Sequence, residues 1–148
     1  MNYDPLTDTN ITGLTIISIF VATCSIYKQS YFIIALIFGF CWNQFCNSVL
    51  KLWIKEPRPS NMYHNSPTEK YGMPSGHAQQ AIFLVTFIYL MNKSPWLILF
   101  LFLSAIIVIF QRYHNKAHTI KQLVVGTILG AFNACLVFYG TKYYIQSL

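Results

Sequence analysis

The sequence predicts an all-α protein, a polytopic membrane helix bundle of five or six transmembrane helices that forms one domain over residues 1–148. Apolar side chains make up 55% of the chain and charged ones only 9%, whereas a soluble domain carries about 25% charged residues. The apolar side chains are also gathered into five continuous runs with polar connections between them. Because hydrocarbon offers backbone N–H and C=O groups no solvent partner, such runs are expected to form helices.

Each of the five apolar runs is close to the length of a membrane span. A spanning helix needs about 20 residues, with a range of about 17–25. The third and fourth runs are short and reach this length only with polar residues such as Gln79, Gln80 and Gln111 at their ends. No run shows the one-sided apolar pattern of a soluble helix, which favours burial in lipid. The runs lie at approximately residues 11–27, 31–50, 77–91, 96–110 and 122–144.

The first run is predicted to be a retained span rather than a cleaved signal peptide. The residues before it include Asp4 and Asp8 and no Lys or Arg, whereas a signal peptide begins with a positively charged segment. Pro95 precedes the fourth run directly, at a position where proline suits the first turn of a helix. The longest polar connection, residues 51–73, contains three prolines and is expected to be irregular.

Counting spans places the polar segments on one membrane face. Residues 51–73 follow the second run and therefore lie at the face that this run reaches. The third run leaves that face and the fourth returns to it, so residues 112–117 lie there too. A candidate active site is therefore expected at this one face, where the polar side chains can meet.

The charge and the cysteines exclude several classes of protein. The net charge of +6 comes from 10 basic and 4 acidic residues, whereas a nucleic-acid-binding protein spreads many Lys and Arg side chains over a soluble face. No nucleic-acid partner is therefore expected. The cysteines lie in apolar runs without the CxxC spacing of a metal or redox site, and they are interpreted as small buried apolar residues. They are Cys24, Cys41, Cys46 and Cys135.

The first polar cluster, residues 51–59, contains two candidate phosphate-binding cations, Lys51 and Arg58, separated by six residues, and Arg58 is followed by Pro59. A phosphoryl group in transfer carries negative charge on three oxygens, which positioned cations stabilise. Arg supplies a planar pair of donors and Lys a point charge. The alternative is that both side chains simply extend from helix ends to the membrane surface, as Lys and Arg commonly do.

The second polar cluster is a Pro-Ser-Gly-His sequence at residues 74–77, between a polar connection and an apolar run. N–H groups at a helix start bind anions, Gly76 allows close backbone approach, and the Ser75 hydroxyl can add a donor. His77 can supply a proton to a departing oxygen. The alternative is an ordinary capped helix start with an incidental histidine.

The third polar cluster contains Arg112 and His118, with five residues between them. An imidazole can attack phosphorus and form a phospho-histidine intermediate if an acceptor holds its other nitrogen. Gln122 lies one helical turn after His118, and its amide oxygen can be this acceptor. His114 precedes His118 by four residues, but a metal site is disfavoured because the segment contains no acidic residue or cysteine. His64 and His114 are interpreted as solvated loop histidines.

Taken together, the three clusters resemble the pattern of the type 2 phosphatidic acid phosphatase family. That pattern is Lys-x6-Arg-Pro, then Pro-Ser-Gly-His, then Ser-Arg-x5-His-x3-Asp. The chain departs from it at two positions, where Gln111 replaces the usual Ser and Gln122 replaces the usual Asp. The resemblance covers about residues 51–130, and the matching residues are Lys51, Arg58, Pro59, Pro74, Ser75, Gly76, His77, Arg112 and His118.

Longer strings are similar to the dolichyl-diphosphatase branch of this family. They read Glu-Pro-Arg-Pro at 56–59, Tyr-Gly-Met-Pro-Ser at 71–75 and His-Thr-x-x-Gln at 118–122. That branch also carries Gln at the Asp position, so Gln122 is compatible with an active enzyme. Gly76 instead keeps the form of the wider family, because the branch commonly has Ser at that position. The similarity implies hydrolysis of a polyisoprenyl diphosphate, such as dolichyl diphosphate, to the monophosphate and phosphate.

The resemblance also implies a role for each matching residue. His118 is the nucleophile, His77 protonates the leaving group and Gln122 orients His118. The resemblance implies no metal ion or other cofactor, a phosphorylated lipid as substrate, and a multi-pass protein of the endoplasmic reticulum membrane with a luminal site. The residues that bind the phosphate oxygens are Lys51, Arg58, Ser75, Gly76 and Arg112.

Two other functions stay open on the sequence alone. One is a broader lipid phosphatase acting on phosphatidic acid or a related monoester, because the choice of dolichyl diphosphate rests on the strings around Gln122. The other is a membrane protein that binds lipid without catalysis, which the replacements at Gln111 and Gln122 favour. His77 and His118 argue against the second, since a binding protein needs neither a nucleophile nor an acid.

Overall fold

The computed structural model of the chain describes residues 30–59, 70–91 and 94–147, and these residues form four helices. The described part is therefore all-helical, as predicted, and the predicted run at residues 11–27 lies outside it. In chain order the helices are α1 (Ser30–Ile54), α2 (Gly76–Leu90), α3 (Pro95–His114) and α4 (Ile120–Gln146).

Three of the described helices, α1, α3 and α4, are long and apolar enough to cross a membrane. Their outer surfaces expose large apolar side chains, such as Trp96 at 79% and Ile107 at 66% exposure. Large contiguous apolar surfaces are rare on soluble proteins. A surface of this kind indicates that the helices contact lipid rather than water. The chain is therefore an integral membrane protein, with three candidate spans where the sequence predicted four within the same residues.

Helix α2 differs from the other helices because it is short and enclosed. Its 15 residues extend about 22 Å at 1.5 Å per residue, less than the roughly 30 Å thickness of the hydrocarbon core. It packs against α1, α3 and α4 and buries Phe83 and Phe87 completely. Phe87 meets Phe138 of α4 edge-on, with ring centroids 5.9 Å apart. The third apolar run is thus short because it forms the innermost helix of the described bundle.

Two glycines of α4 allow it to lie directly against α2. A Cβ on Gly126 would stand 2.5 Å from the carbonyl oxygen of Ser75, and one on Gly130 would overlap the carbonyl oxygen of Gln79. Small residues at such positions let two helix backbones approach closely inside a membrane. The contact brings the start of α4 beside the start of α2, where the second and third polar clusters of the sequence lie.

Buried amide side chains join α1, α2 and α4 in the bundle interior. Asn43 donates to Gln80 at 2.8 Å and accepts from both Gln79 and Asn133, each at 2.8 Å. Asn47 donates to Gln79 Oε1 at 2.7 Å and to the carbonyl oxygen of Pro74 at 3.2 Å. The sequence suggested that Gln79 and Gln80 form the polar end of a short span, and the structure corrects this prediction. They are interhelical hydrogen-bonding residues, buried because each amide finds a partner on a neighbouring helix.

The long polar connection after α1 begins later than predicted. Helix α1 continues to Ile54, so Lys51 belongs to its last turn. Lys55 then adopts a left-handed conformation with φ of 53°. The described ends of the connection meet at an isolated antiparallel bridge between Pro57 and Tyr71. The bridge joins the backbone on the two sides of residues 60–69, which lie outside the described part. Arg58, directly after Pro57, therefore lies near the start of α2.

Candidate active site

The four described helices bring the three polar clusters to one end of the bundle. This end contains the last turns of α1 and α3 and the first turns of α2 and α4. Arg58 lies 3.5 Å from His118, and Arg112 lies 2.8 Å from His77. Side chains of the third cluster therefore contact both of the other clusters, as expected if all three lie at one membrane face.

Lys51 and Arg58 contribute positive charge from the α1 side. Lys51 is buried in the last turn of α1 although it is charged. The Arg58 Nη1 atom lies 3.5 Å from His118 Nε2 and 3.5 Å from the carbonyl oxygen of Ala117. A Lys that merely extended to the membrane surface would keep its charge in water, so burial of Lys51 disfavours that alternative.

Ser75 stands at the N-cap of α2, but its side chain makes no capping hydrogen bond. Its backbone is held on both sides, because its N–H donates to the Gln122 carbonyl at 3.1 Å and its own carbonyl accepts from Gln79. The Ser75 hydroxyl oxygen is completely buried and has no hydrogen-bond partner among the described residues. A buried hydroxyl normally has a partner, so this geometry disfavours the simple capped-helix alternative and leaves a donor available for an anion.

Gly76 is the first residue of α2, and its N–H therefore has no acceptor within the helix. A Cβ at this position would come within 3.2 Å of the Asn47 amide oxygen. The Asn47 side chain of α1 therefore packs closely against the backbone of Gly76. An N–H at a helix start is a favourable donor to an anion, since the aligned peptide dipoles point their positive end there.

Arg112 and His77 form a direct side-chain pair. The Arg112 Nη2 atom lies 2.8 Å from His77 Nε2. Because a guanidinium only donates hydrogen bonds, Nε2 of His77 must accept here and the ring proton lies on Nδ1. Arg112 is buried in the last turn of α3. Arg112 therefore fixes both the ring of His77 and its tautomer.

His118 lies in the connection between α3 and α4, with its ring held through one nitrogen. Nδ1 is 3.0 Å from the Gly72 carbonyl oxygen and 3.3 Å from Gln122 Oε1. The Gly72 carbonyl can only accept, so Nδ1 must carry the ring proton. The lone pair then lies on Nε2, which faces Arg58. This is the tautomer that a nucleophilic imidazole requires.

The orientation of the Gln122 amide supports the same tautomer. Its Nε2 donates to the Glu56 carboxylate at 3.0 Å and to the Pro57 carbonyl at 2.9 Å, and both partners are acceptors. Its Oε1 accepts from the Thr119 N–H at 3.2 Å. Exchanging the amide oxygen and nitrogen would break all three bonds, so the oxygen must face His118.

The electrostatic surroundings keep His118 uncharged. Burial, together with the positive charges of Arg58 and Lys51, lowers the pKa of His118 from 6.5 to about 3, while the hydrogen bond to Gln122 opposes this shift. Desolvation and nearby cations both disfavour the imidazolium. His118 therefore keeps its lone pair throughout the physiological pH range.

Glu56 is a site residue that the sequence analysis did not single out. Hydrogen bonds from Lys121 and Gln122 lower the pKa of Glu56, with the Lys121 ammonium 2.9 Å from its carboxylate. The chain has only 4 acidic residues, and an acid directly before the Pro-Arg-Pro string was a signal for it. Thr119 was also missed, although Thr119 and Gln122 form a capping box whose Thr-x-x-Gln spacing is readable in sequence.

The remaining histidine that the structure describes lies outside this arrangement. His114 is exposed, and its ring faces Phe110 with centroids 5.9 Å apart. His114 and His118 thus occupy different surroundings, which disfavours a shared metal. His64 lies outside the described residues. Gln111 is half-buried in α3, next to Arg112.

Comparison with known proteins assigns the family. The sequence pattern of the PAP2 superfamily matches residues 31–146, which include every cluster described above. The chain belongs to the PAP2 superfamily. This confirms the family predicted from the three clusters, and it covers the described helices from α1 to α4.

One relative illustrates the similarity of this chain to other proteins. The chain is 33% identical over 142 residues to Dolichyldiphosphatase 1 of Dictyostelium discoideum, which covers 87% of this chain and 60% of the relative. The chain therefore spans less than two thirds of that relative's length.

Two solved structures share the fold of this chain. The PAP2 type phosphatidylglycerolphosphate phosphatase of Bacillus subtilis has a TM-score of 0.66 at 23% identity, covering 99% of this chain and 80% of that one. LpxE of Aquifex aeolicus has a TM-score of 0.68 at 18% identity, covering 93% of this chain and 88% of that one. These likenesses establish the PAP2 fold for the described helices.

Proposed function

We propose that this PAP2 protein is a lipid phosphatase that hydrolyses a polyisoprenyl diphosphate, such as dolichyl diphosphate, to the monophosphate and inorganic phosphate. The observation that carries the proposal is the state of His118. Its Nδ1 proton is held by Gly72 and Gln122, and its Nε2 lone pair faces Arg58. An uncharged imidazole beside fixed cations can attack the phosphorus of an anionic group.

In the first step, His118 Nε2 attacks the terminal phosphorus of the diphosphate. A nitrogen–phosphorus bond forms, and the bond from that phosphorus to the bridging oxygen breaks. The bridging oxygen leaves with the lipid monophosphate and takes a proton from His77, which must enter this step as the imidazolium, protonated at Nε2. The charges of Lys51, Arg58 and Arg112 stabilise the equatorial oxygens during transfer.

In the second step, water attacks the phosphorus of the phospho-histidine. The nitrogen–phosphorus bond breaks, the electron pair returns to Nε2, and the proton from water passes to His77. Inorganic phosphate is released. Arg112 Nη2 lies 2.8 Å from His77 Nε2, so a phosphate must take over the guanidinium before this nitrogen can bind a proton. That exchange frees His77 Nε2 to take part in proton transfer.

The choice of substrate rests on the relatives and on the branch-like strings. The Dictyostelium relative is named Dolichyldiphosphatase 1, and Gln122 follows the pattern of that branch. A diphosphate headgroup lies in water while its polyisoprenyl chain stays in lipid, which matches a cationic site at one end of a bundle with apolar outer surfaces. The same similarity supports the endoplasmic reticulum membrane as the location of the proposed enzyme.

The first experiment measures phosphate release by the purified protein from dolichyl diphosphate and from phosphatidic acid, with chelator present. We expect faster release from dolichyl diphosphate, and no loss with chelator, because three fixed cations neutralise the phosphate charge. A preference above about tenfold for phosphatidic acid, which corresponds to about 1.4 kcal/mol in the barrier, would overturn the substrate assignment.

The second experiment tests the nucleophile. His118→Ala should abolish turnover while binding of the lipid to the protein persists. His114→Ala is the matched control, because His114 is an exposed histidine four residues earlier, and it should keep wild-type turnover. Radiolabelled diphosphate should yield an acid-labile, base-stable phosphoprotein in the wild type and none in His118→Ala. Turnover that survives in His118→Ala contradicts the phospho-histidine mechanism.

A further inference from the structure

Gln122 connects His118 to a carboxylate. Its amide oxygen lies 3.3 Å from His118 Nδ1, and its amide nitrogen lies 3.0 Å from Glu56 Oε1. The wider family usually has Asp at the position of Gln122, where a carboxylate would meet the histidine directly. In this chain, the Glu56 carboxylate is linked to the same ring through the Gln122 amide.

We propose that Glu56 is a positioning residue for phosphoryl transfer, acting on His118 through the Gln122 amide. The inference rests on the function proposed above and extends it to a residue that the wider family's pattern leaves unspecified. Glu56 holds the amide with its oxygen toward Nδ1 and polarises it, so that the oxygen becomes a stronger acceptor.

The physical basis is the charge that develops during the reaction. When Nε2 bonds to phosphorus, the imidazole ring becomes positively charged while Nδ1 keeps its proton. A neutral amide oxygen stabilises that charge less than a carboxylate does. An amide whose N–H donates to a carboxylate is polarised by it, because linked hydrogen bonds strengthen one another. Here the Gln122 amide and the His118 ring are buried, while the Glu56 carboxylate is partly exposed. Glu56 thereby restores part of what a direct Asp would supply.

The backbone around Glu56 holds this linkage in place. The Gly72 N–H donates to the Glu56 carbonyl at 2.8 Å, and the Gly72 carbonyl accepts from His118 Nδ1. A Cβ at Gly72 would overlap the Gln122 amide, so glycine is required for this close packing. Glu56, Gly72, Gln122 and His118 therefore form a closed set of contacts, which fixes the Glu56 backbone beside the Gln122 amide.

The decisive variant is Glu56→Gln, which keeps the shape and an acceptor oxygen but removes the charge. We expect kcat to fall about tenfold, as a charge-assisted hydrogen bond becomes a neutral one, with KM changed less than about twofold. Lys121→Gln is the matched control. It removes the exposed ion pair to the same carboxylate and should leave kcat within about twofold, since exposed ion pairs contribute little.

A double-mutant cycle separates positioning from a merely structural role. Gln122→Asp places a carboxylate directly at the position where the family usually has one. In that background, Glu56→Gln should lower kcat by less than about twofold, because the ring no longer depends on Glu56. An equal loss in both backgrounds, or a loss in Lys121→Gln as large as in Glu56→Gln, would overturn the inference.

A spectroscopic measurement keeps the inference independent of the proposed function. In protein labelled with nitrogen-15 histidine, the His118 Nδ1–H proton should resonate further upfield in Glu56→Gln than in the wild type, as its hydrogen bond weakens. Lys121→Gln should leave it unmoved. If the wild type hydrolysed neither lipid, the proposed function would fail while this shift still reported the linkage. An unmoved resonance in Glu56→Gln would show that the linkage is absent, whether or not the protein is active.

Discussion

His118 shows how a single side chain acquires its chemistry from its neighbours. A free imidazole exchanges its proton between two nitrogens, but here the Gly72 carbonyl and the oriented Gln122 amide both accept from Nδ1. The positive charge of Arg58 stands next to the other nitrogen. The ring is thereby held in one tautomer and one charge state, with the lone pair directed toward the cations.

The lowered pKa of His118 makes the stability of the protein depend on pH. Its pKa is about 3 in the folded state against 6.5 for the free side chain. Below pH 6.5 the unfolded chain binds a proton that the folded chain does not, so stability falls as the pH drops from 6.5 toward 3 and is unaffected above that range. This residue alone should remove about 2 kcal/mol by pH 5.

Thermal unfolding of the wild type and His118→Asn in detergent at pH 7 and pH 5 checks this prediction. The wild type should lose more stability between the two pH values than the variant does. Equal losses would mean that His118 is protonated in the folded protein at pH 5.

At the scale of the element, the end of α3 sets the position of His118. Helix α3 ends in a Schellman arrangement, in which the N–H of Lys116 donates to the Tyr113 carbonyl at 3.0 Å and that of Ala117 to the Arg112 carbonyl at 3.1 Å. Lys116 has φ of 52°, in the left-handed region. Most such positions are glycine, since a side chain is strained there. The turn places His118 immediately after the helix that carries Arg112.

Lys116→Gly should therefore stabilise the protein by about 1 kcal/mol through relief of this strain. The same substitution at Lys142, inside α4, should instead destabilise it by up to about 1 kcal/mol, because glycine weakens a helix interior. Thermal unfolding of both variants checks the opposite signs. A destabilised Lys116→Gly would contradict the role given to the left-handed turn.

The buried amides of α1 and α2 hold the backbone of the second polar cluster by hydrogen bonds. Asn47 lies one turn before Lys51 in α1, and its side chain donates both to Gln79 and to the Pro74 carbonyl that precedes Ser75. An unpaired carbonyl in this apolar interior is unfavourable. The amides therefore couple the packing of the helices to the position of the Ser75 backbone.

Asn47→Leu should remove about 1–2 kcal/mol of stability and reduce phosphate release, because the Pro74 carbonyl loses its donor and residues 74–76 become less firmly held. Ser48→Ala is the control in the same helix, since the Ser48 hydroxyl bonds the Gln44 carbonyl one turn earlier. Unfolding and turnover that match those of Ser48→Ala would argue against the coupling.

At the scale of the whole molecule, the site depends on how closely α2 and α4 pack. The contact at Gly126 and Gly130 places the N-cap of α2 against α4, and the Ser75 N–H bonds the Gln122 carbonyl. Two helices with larger residues here would separate, and the second and third polar clusters would move apart. The outer helices meanwhile expose large apolar side chains suited to lipid.

Gly126→Ala should destabilise the protein by about 1–3 kcal/mol through overpacking and lower turnover sharply, because the new methyl group displaces the Ser75 backbone. Gly140→Ala is the matched control in the same helix. A Cβ there meets nothing within 4 Å, so this change should stabilise the helix by about 0.5–1 kcal/mol. Turnover and unfolding measured on both variants should diverge, and similar values would rule out the close contact as a determinant of the site.

The sequence by itself determined that the chain is a helical membrane protein of the PAP2 superfamily, because apolar run length and the spacing of three polar clusters are properties of a linear order. It also indicated that these clusters lie on one face, since this follows from counting spans. It counted the third run as a membrane span, whereas α2 is a short, enclosed helix, because run length alone does not distinguish an enclosed helix from a lipid-facing one.

The tertiary structure alone decided which atoms meet. The pairing of Gln122 with Glu56 and the hydrogen bond from Asn47 to Pro74 join residues far apart in the chain. The Ser75 hydroxyl, which has no hydrogen-bond partner among the described residues, is likewise buried by packing of the helices. Such contacts depend on helix rotation and on the approach of α2 to α4, and those are set by packing of the whole bundle. Hydrogen-bond direction, and with it the tautomer of His118, exists only once these partners are in place.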